Sequence, residues 1–404
     1  MKRILMLVEN LPAPFDRRVW QEAEALRDAG YEVTIICPTG AGCESRFEVL
    51  DAIHIHRYPL PLEANGALGY ALEYAAALAQ AFWLAWRVFL TRGFDVIHAC
   101  NPPDLFFLIG GVFKLLGRKF VFDHHDLGPE LYEAKFGRRG FAYRLLRVLE
   151  YLSFRTADLS IATNLSYAKI AVGRGRMPPE RVFVVRSGPN LERIRIQPPV
   201  PALKRGRRIL VGYVGVMGQQ EGIPYLLQAA RHLVHYYGCR DIHFGLVGGG
   251  PVLGEMRALA ASFGIADYVS FTGRVPDAEL LAMLNTADLC VNPDVANDMN
   301  DKSTMNKIME YMALGKPIVQ FDLAEGRYSA RDAALYARPN DAFDLAEKIL
   351  QLAEDAELRA AMGDYGRRRV ERELEWRHQA PRLLEAYACL RPDAGVAPAA
   401  GGAR

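Results

Sequence analysis

Two doubly wound α/β domains are the fold that this chain predicts, and three observations point there. Short apolar segments alternate with amphipathic helical patterns along residues 1–190. The alternation stops in a basic, proline-bearing stretch at 191–208, which reads as a linker. A second alternating series then runs from 209 to 375. Continuous apolar strands separated by helices imply parallel sheets covered on both faces. Ligands of such sheets bind at the carboxyl ends of the strands, so two facing sheets would place a cleft between them. A helix at 376–391 is a candidate to return across the hinge, and 392–404 reads as a flexible tail of Ala, Gly and Pro.

Taken in order, Arg3–Val8 is the first strand. Its apolar run is too short for a signal peptide and meets Glu9 at once. Asp16 can cap a helix with Val19, Ala23 and Leu26 on one face, and Gly30 stands where a left-handed stop belongs. Glu32–Cys37, Asp95–Ala99, Lys119–Asp123, Leu159–Thr163 and Val182–Arg186 continue the strands. The second series is Ile209–Val214, His243–Val247, Val269–Thr272, Leu289–Asn292, Pro317–Phe321 and Ala334–Tyr336.

Composition removes several classes. The 404 residues are 50% hydrophobic and 24% charged, with 49 basic against 47 acidic side chains, a net charge of +2. That excludes a DNA-coating protein, a disordered scaffold and a polytopic membrane protein. No nucleic-acid partner is expected. The six cysteines are scattered with no CxxC pair, which fits a reducing cytosol and argues against a zinc ribbon. Tyr70–Leu90 is rich in Ala, Leu and aromatics but carries Glu73, Gln80 and Arg87. It reads as a core helix, with contact to a bilayer surface as the alternative. Ala134–Phe154 places Lys135, Arg138, Arg139, Arg144 and Arg147 before any acid, with Phe141, Leu145 and Leu149 between them. Such a stretch either forms a solvated helix face or sits on an anionic membrane surface.

The richest segment for chemistry is NDMNDKSTMNKIMEYMALGKPIV, residues 297–319. Ser303 or Thr304 is the expected cap of a helix running to Leu314, and Gly315 its end. The free N–H groups of Met305 and Asn306 would then offer a phosphate site. Lys307 and Glu310 fall on one face: a lysine can neutralise a diphosphate, and a carboxylate can accept two hydrogen bonds from a ribose diol. The alternative is an ion pair between the two. Gly215, Val216, Met217 and Gly218 follow the strand Ile209–Val214, and small residues there let a diphosphate approach the backbone. Gly249, within the glycine run 248–250, would either approach a base or form a turn, and Arg274 is placed beside that base.

At these residues the chain resembles a known family. DRRVWQEAEALRDAGYEVTIICP, RSGPN, GYVGVMGQQEGIPYLL, GLVGGGP, VSFTGRVP and above all KIMEYMALGKPIV occur in the order found in GT-B glycosyltransferases of family 4. The similarity covers residues 1 to about 390. It implies two Rossmann-like domains. A nucleotide-sugar donor, UDP- or GDP-linked, would be held by the second and the acceptor by the first. It also implies transfer with retention at the anomeric carbon, without a metal or other cofactor. Glu310 matches the second glutamate of the family's E-x7-E signature, which binds the donor ribose. Lys302 stands where the first glutamate would be, with Asp298 or Asp301 as substitutes. Val216 and Glu221 stand where many members carry the arginine and lysine that clamp the diphosphate, leaving Lys307, Lys302 or Arg186 to meet that charge. Arg17 and Arg18 are candidates for phosphate or acceptor contacts. In HHD at 124–126, His125 fits the histidine that lies near the reacting sugar, and His124 a supporting partner.

The catalytic assignment is thus His125, Glu310 and Lys307. The basic stretch adds a glycan or polyprenyl-diphosphate-linked acceptor at a membrane face, in exopolysaccharide, capsule or O-antigen synthesis. Two other readings stand beside it: a non-catalytic nucleotide-sugar-binding protein of the same fold, and a GT-B nucleotide-sugar 2-epimerase.

Overall fold

A computed structural model describes residues 2–59 and 66–390, so the expected tail lies outside the described residues. The chain divides into two compact units, Met1–Ser187 with Gln379–Arg404, and Gly188–His378.

The first unit runs β1 (Arg3–Leu7), α1 (Arg17–Asp28), β2 (Glu32–Pro38), β3 (Phe47–Leu50), β4 (Ile53–Tyr58), α2 (Gly66–Thr91), β5 (Val96–Cys100), α3 (Phe107–Leu115), β6 (Lys119–His124), α4 (Gly128–Phe136), α5 (Phe141–Thr156), β7 (Leu159–Ala162), α6 (Leu165–Gly173) and β8 (Val182–Val184). Its sheet has the order β3-β4-β2-β1-β5-β6-β7-β8. All pairings are parallel except β3 on β4, a hairpin that the strand series above omits. The alternation Ile53-His54-Ile55-His56 carries its signal. Asp51 and Ala52 turn it with φ of 47° and 62°, the left-handed pair that matches strand twist.

Asp16 caps α1 as expected, accepting from the Val19 N–H at 3.2 Å. The buried face of α1 holds Val19, Ala23 and Leu26, but also Arg18 and Glu22. Two charged residues on a core-facing stripe need partners, or the burial is costly. One face of α2 buries Ala77, Ala81, Leu84, Ala85 and Val88, as a core helix should, while Trp83 and Leu90 are exposed. Among the described residues no helix is long and apolar enough to cross a membrane.

The basic stretch is two helices. Gly137, at φ 64°, ends α4 in the left-handed conformation, and Gly140 opens α5. The register of α5 is inverted from an ordinary surface helix. Phe141, Leu145, Val148 and Leu152 face solvent. Arg144, Arg147 and Arg155 share that exposed side, and Glu150 is buried. Leu149, expected in the apolar stripe, is half-buried instead.

The second unit runs β9 (Ile209–Val214), α7 (Ile223–Arg231), β10 (Ile242–Val247), α8 (Leu253–Ser262), β11 (Val269–Gly273), α9 (Asp277–Thr286), β12 (Leu289–Asn292), α10 (Asp298–Lys302), α11 (Asn306–Ala313), β13 (Ile318–Phe321), α12 (Ala324–Ala330), β14 (Ala334–Ala337), α13 (Ala342–Glu354), α14 (Ala356–Arg369) and the start of α15 (Trp376–Ala388). Its parallel sheet has the order β11-β10-β9-β12-β13-β14. Every residue of β9 and β10 is buried, because helices cover both faces.

The stretch 191–208 belongs to this unit. The Gln197 N–H donates to Asn285 Oδ1 at 2.9 Å, the Val200 N–H to Thr286 Oγ1 at 2.8 Å, and Lys204 pairs with Asp288 at 2.7 Å. Pro201 opens a single 3-10 turn, Pro201–Lys204, and side chains at the end of α9 satisfy backbone N–H groups before it. The chain re-enters the first unit within α15, between His378 and Gln379. There Gln379 Oε1 accepts from the Arg186 N–H, and Tyr387 is buried against Tyr31 and His98.

Candidate functional site

In the second unit the expected residues gather at the carboxyl ends of four adjacent strands, β11, β10, β9 and β12. The turn after β9 is stitched to the one after β10: the Gly215 N–H donates to Val247 O at 3.1 Å and the Met217 N–H to Gly249 O at 2.9 Å. Glycine is required for this approach. A Cβ on Gly248, at φ 137°, would stand 1.8 Å from Gly215 O, and one on Gly250 would stand 2.5 Å from Met217 O. The glycine run therefore serves backbone packing, as a turn. Val216 is exposed and Arg274 adjoins Gly249, so both line the open rim. Met217 does not. Its side chain is wholly buried in the core, which corrects its assignment as a donor contact.

The cap expected at Ser303 or Thr304 is also corrected. Asn297 caps a separate short helix, α10, accepting from the Asn300 N–H at 2.8 Å. Ser303 ends that helix and its hydroxyl donates back to Met299 O at 2.8 Å. The following helix, α11, starts at Asn306 with Met305 as its N-cap and no side-chain cap bond. Lys302 pairs with Asp298 across one turn of α10.

Lys307 does not pair with Glu310. Its ammonium lies 2.7 Å from Asp294 Oδ1 and 3.0 Å from Glu221 Oε2, and sits over the Tyr213 ring. Burial works against this charge, but Asp294, Tyr213 and Glu221 outweigh it and hold the proton well above the ordinary lysine range. Asp294 is fully enclosed, while Glu221 keeps about a quarter of its side chain (26%) open to solvent. Lys307 is thus a cation already in use, with one partner, Glu221, at the mouth. Glu310 has its own partner: Arg193 Nη2 donates to it at 2.9 Å, and Nη1 reaches Asp277, also at 2.9 Å.

His125 is in the first unit, at the end of β6. Strand alternation puts Asp123 and His125 on one side and His124 on the other. His124 is buried beside Glu150, Phe154 and Tyr167, so it does not support His125. His125 Nε2 lies 2.6 Å from Asp123 Oδ2. The Asp123 carboxylate is buried; burial alone would raise it, but Arg18, His125 and His98 hold it well below the usual range. Arg18 reaches inward from α1. It donates to Val185 O at 2.8 Å and Asp123 Oδ1 at 3.1 Å, and pairs with Glu22 at 2.9 Å. Only 7% of it is exposed, so it is no open phosphate contact. Arg186, another candidate for phosphate charge, is buried too.

Two sets of groups here have metal-ligand chemistry, His98 with Cys100 and Asp123, and Glu22 with Asp123 and His125. The Arg18 guanidinium already meets both carboxylates, so the donor set does not fit a resident cation.

Sequence reasoning overlooked Glu22, Asp123, Arg193, Asp294 and Tyr387. Three had a signal. Glu22 sits one turn after Arg18 on an apolar face, Asp123 ends an apolar strand, and Asp294 comes two residues after the strand LCVN, beyond Pro293. Arg193 and Tyr387 had none, since both meet their partners only in three dimensions.

The comparisons with known proteins speak to the family and the fold. The family model for a glycosyl transferase 4-like domain matches residues 16–188, and that for glycosyl transferases group 1 matches 208–355. This chain belongs to the GT-B glycosyltransferases of family 4 type. Among its GT-B relatives is the 2-deoxystreptamine N-acetyl-D-glucosaminyltransferase of Streptomyces fradiae, 26% identical over 80% of each chain. The phosphatidyl-myo-inositol mannosyltransferase of Mycolicibacterium smegmatis is 24% identical over 94% of this chain and 90% of its own. Against the 2-deoxystreptamine glucosyltransferase of Streptomyces kanamyceticus, 27% identical, the chain spans only 39% of that protein. The crystal structure of Anabaena HepE in complex with UDP-glucose superposes with a TM-score of 0.73 at 17% identity, covering 96% of this chain and all of that one.

Proposed function

We propose that this glycosyltransferase moves a sugar from a nucleoside diphosphate sugar, UDP- or GDP-linked, to a glycan or polyprenyl-diphosphate-linked acceptor, with retention at the anomeric carbon. The observation that carries the reading is the convergence of open backbone turns, Lys307 and Glu310 at the carboxyl ends of β9 to β12. Glu310 takes the donor ribose in place of Arg193. The diphosphate lies along Gly215, Val216 and Gly218 and displaces Glu221 from Lys307. In the transition state charge grows on the leaving phosphate, and fixed N–H dipoles with the lysine stabilise it. The acceptor hydroxyl attacks on the same face and gives its proton to the leaving oxygen. In this reading no metal takes part. His125 serves by hydrogen bonding near the reacting carbon.

The relative that bears the phosphatidyl-myo-inositol name supports a lipid-borne acceptor. So does α5, whose exposed Phe141, Leu145, Val148 and Leu152 lie among arginines. Such a face suits the anionic inner surface of a cell membrane, where a peripheral cytoplasmic enzyme would meet carriers for surface polysaccharide. Lys302 in the signature and the neutralised Lys307 favour the second reading, a binder without turnover.

One experiment separates them. Purified protein is incubated with UDP- and GDP-sugars, with and without membrane extract, and released nucleotide is measured. Release that depends on extract is the expected result; donor binding without release under any condition leaves the binder. Glu310→Ala should weaken nucleotide binding about tenfold, read by calorimetry, since a charged hydrogen-bond pair to the ribose is lost.

A further inference from the structure

We infer that Tyr387, carried on α15, is a positioning residue for His125, acting through His98 and Asp123. Three contacts make the chain. The Tyr387 hydroxyl lies 2.7 Å from His98 Nδ1, His98 Nε2 lies 3.2 Å from Asp123 Oδ2, and the same oxygen lies 2.6 Å from His125 Nε2. The inference rests on the reading above, in which His125 stands by the reacting sugar.

Proton placement follows from the donor inventory. An ionised carboxylate only accepts, so both imidazoles present Nε2–H to Asp123. Arg18 Nε also lies 2.9 Å from His125 Nε2, but a guanidinium only donates, and a nitrogen that gives its proton to Asp123 cannot accept; the shorter 2.6 Å contact to the carboxylate is therefore the hydrogen bond, and Arg18 acts there only as a neighbouring charge. The Tyr387 hydroxyl serves His98 either way, as donor to a neutral ring or acceptor from a charged one. In both states Nε2 of His98 keeps its proton toward Asp123. Without the hydroxyl, His98 is free to take the other tautomer and turn a lone pair on the carboxylate. Asp123 would then shift and its hold on His125 would loosen.

Every part of the relay except His125 is closed to solvent. His98 and Asp123 are fully buried, Tyr387 is 2% exposed, and the His125 side chain keeps 14%. The charged and titratable groups around His125 are Arg18 and Glu22 from α1, His98 and Cys100 from β5, Asp123 and Asp126 beside it, and Tyr387 from α15. Asp123 keeps its negative charge beside the Arg18 guanidinium, while burial pushes the Glu22 carboxyl up against the pull of Arg18. His125 is accordingly held well above its ordinary range: burial opposes the charge, and Asp123 outweighs burial.

The test uses the full-length chain labelled with 15N-histidine, with His125→Asn to assign its signal. Tyr387→Phe keeps the ring that packs on Tyr31 and His98 and removes only the hydroxyl. The His125 titration midpoint should fall toward its ordinary value by at least about half a pH unit. The pH profile of transfer should move with it. The turnover number should drop about tenfold or more, with KM for the donor within about twofold, because a displaced catalytic group costs the chemical step. Leu383→Ala is the control. It loosens the same helix from its buried side without touching the relay, and should lower thermal stability while leaving His125 in place. An unmoved His125 midpoint in Tyr387→Phe, or an equal movement in Leu383→Ala, overturns the inference. If no donor is turned over by the wild type, the donor reading falls alone, and the histidine titration still decides the relay.

Discussion

Each unit buries one cation between two carboxylates at the carboxyl ends of parallel strands: Arg18 between Glu22 and Asp123, and Lys307 between Asp294 and Glu221. The surroundings differ. Around Arg18 stand two imidazoles and a phenol, groups that pass or hold protons near neutral pH. Around Lys307 stand carboxylates and the face of Tyr213, and one carboxylate is at the surface. The first cluster is a closed charge set whose variable is a proton. The second is a fixed ammonium whose variable is its outer partner. A donor diphosphate can exchange with Glu221 at the second; nothing comparable can exchange at Arg18, whose guanidinium is buried against Val185 O, Asp123 and Glu22.

Breaking that contrast has graded consequences. Lys307→Met leaves two carboxylates facing each other in a buried site, and should cost about 3–5 kcal/mol in denaturant unfolding. Adding Asp294→Asn should recover part of it. The first unit should instead register pH. Burial pushes the nearby Asp104 carboxyl up to about 7, His124 opposing and Glu150 adding. The folded chain therefore holds this proton where an unfolded aspartate, near 3.8, has released it. Stability contributed there is full below about 4 and is lost as pH rises toward 7. Asp104→Asn should flatten that slope in urea midpoints taken across the window; an unchanged slope would place the proton elsewhere. The smallest effect is expected at the mouth of the second cluster. Glu221→Gln removes a negative charge from the diphosphate path, and should raise nucleoside diphosphate affinity several-fold by calorimetry while Asp294 keeps Lys307 paired. A loss of affinity would mean that Glu221 is a ligand contact and no obstacle.

Local chemistry made much of this molecule readable from its residues. Asp16 and Gly30 bound α1 because capping and left-handed geometry depend on single residues. Most strands were readable because burial on both faces demands unbroken apolar runs, and the family motifs marked Glu310 and His125 by position. The β3–β4 hairpin left its signal in the alternating Ile53-His54-Ile55-His56, but a half-buried strand lacks the unbroken apolar run that marks the others, and the strand series omitted it. Ser303 and Thr304 were misread because a hydroxyl before an apolar run looks alike whether it opens one helix or closes another.

The amino-acid order by itself determined two α/β units built on parallel strands, most of those strands, and the family to which the chain belongs, because these follow from periodicity and from motifs a few residues long. Tertiary structure alone decided the pairings of the charged groups. Lys307 meets Glu221 across 86 positions, Glu310 meets Arg193 across 117, and His98 meets Tyr387 across 289. Coulomb attraction and hydrogen bonding act on distance in space, and no spacing along the chain encodes which of many candidate partners a buried charge will find.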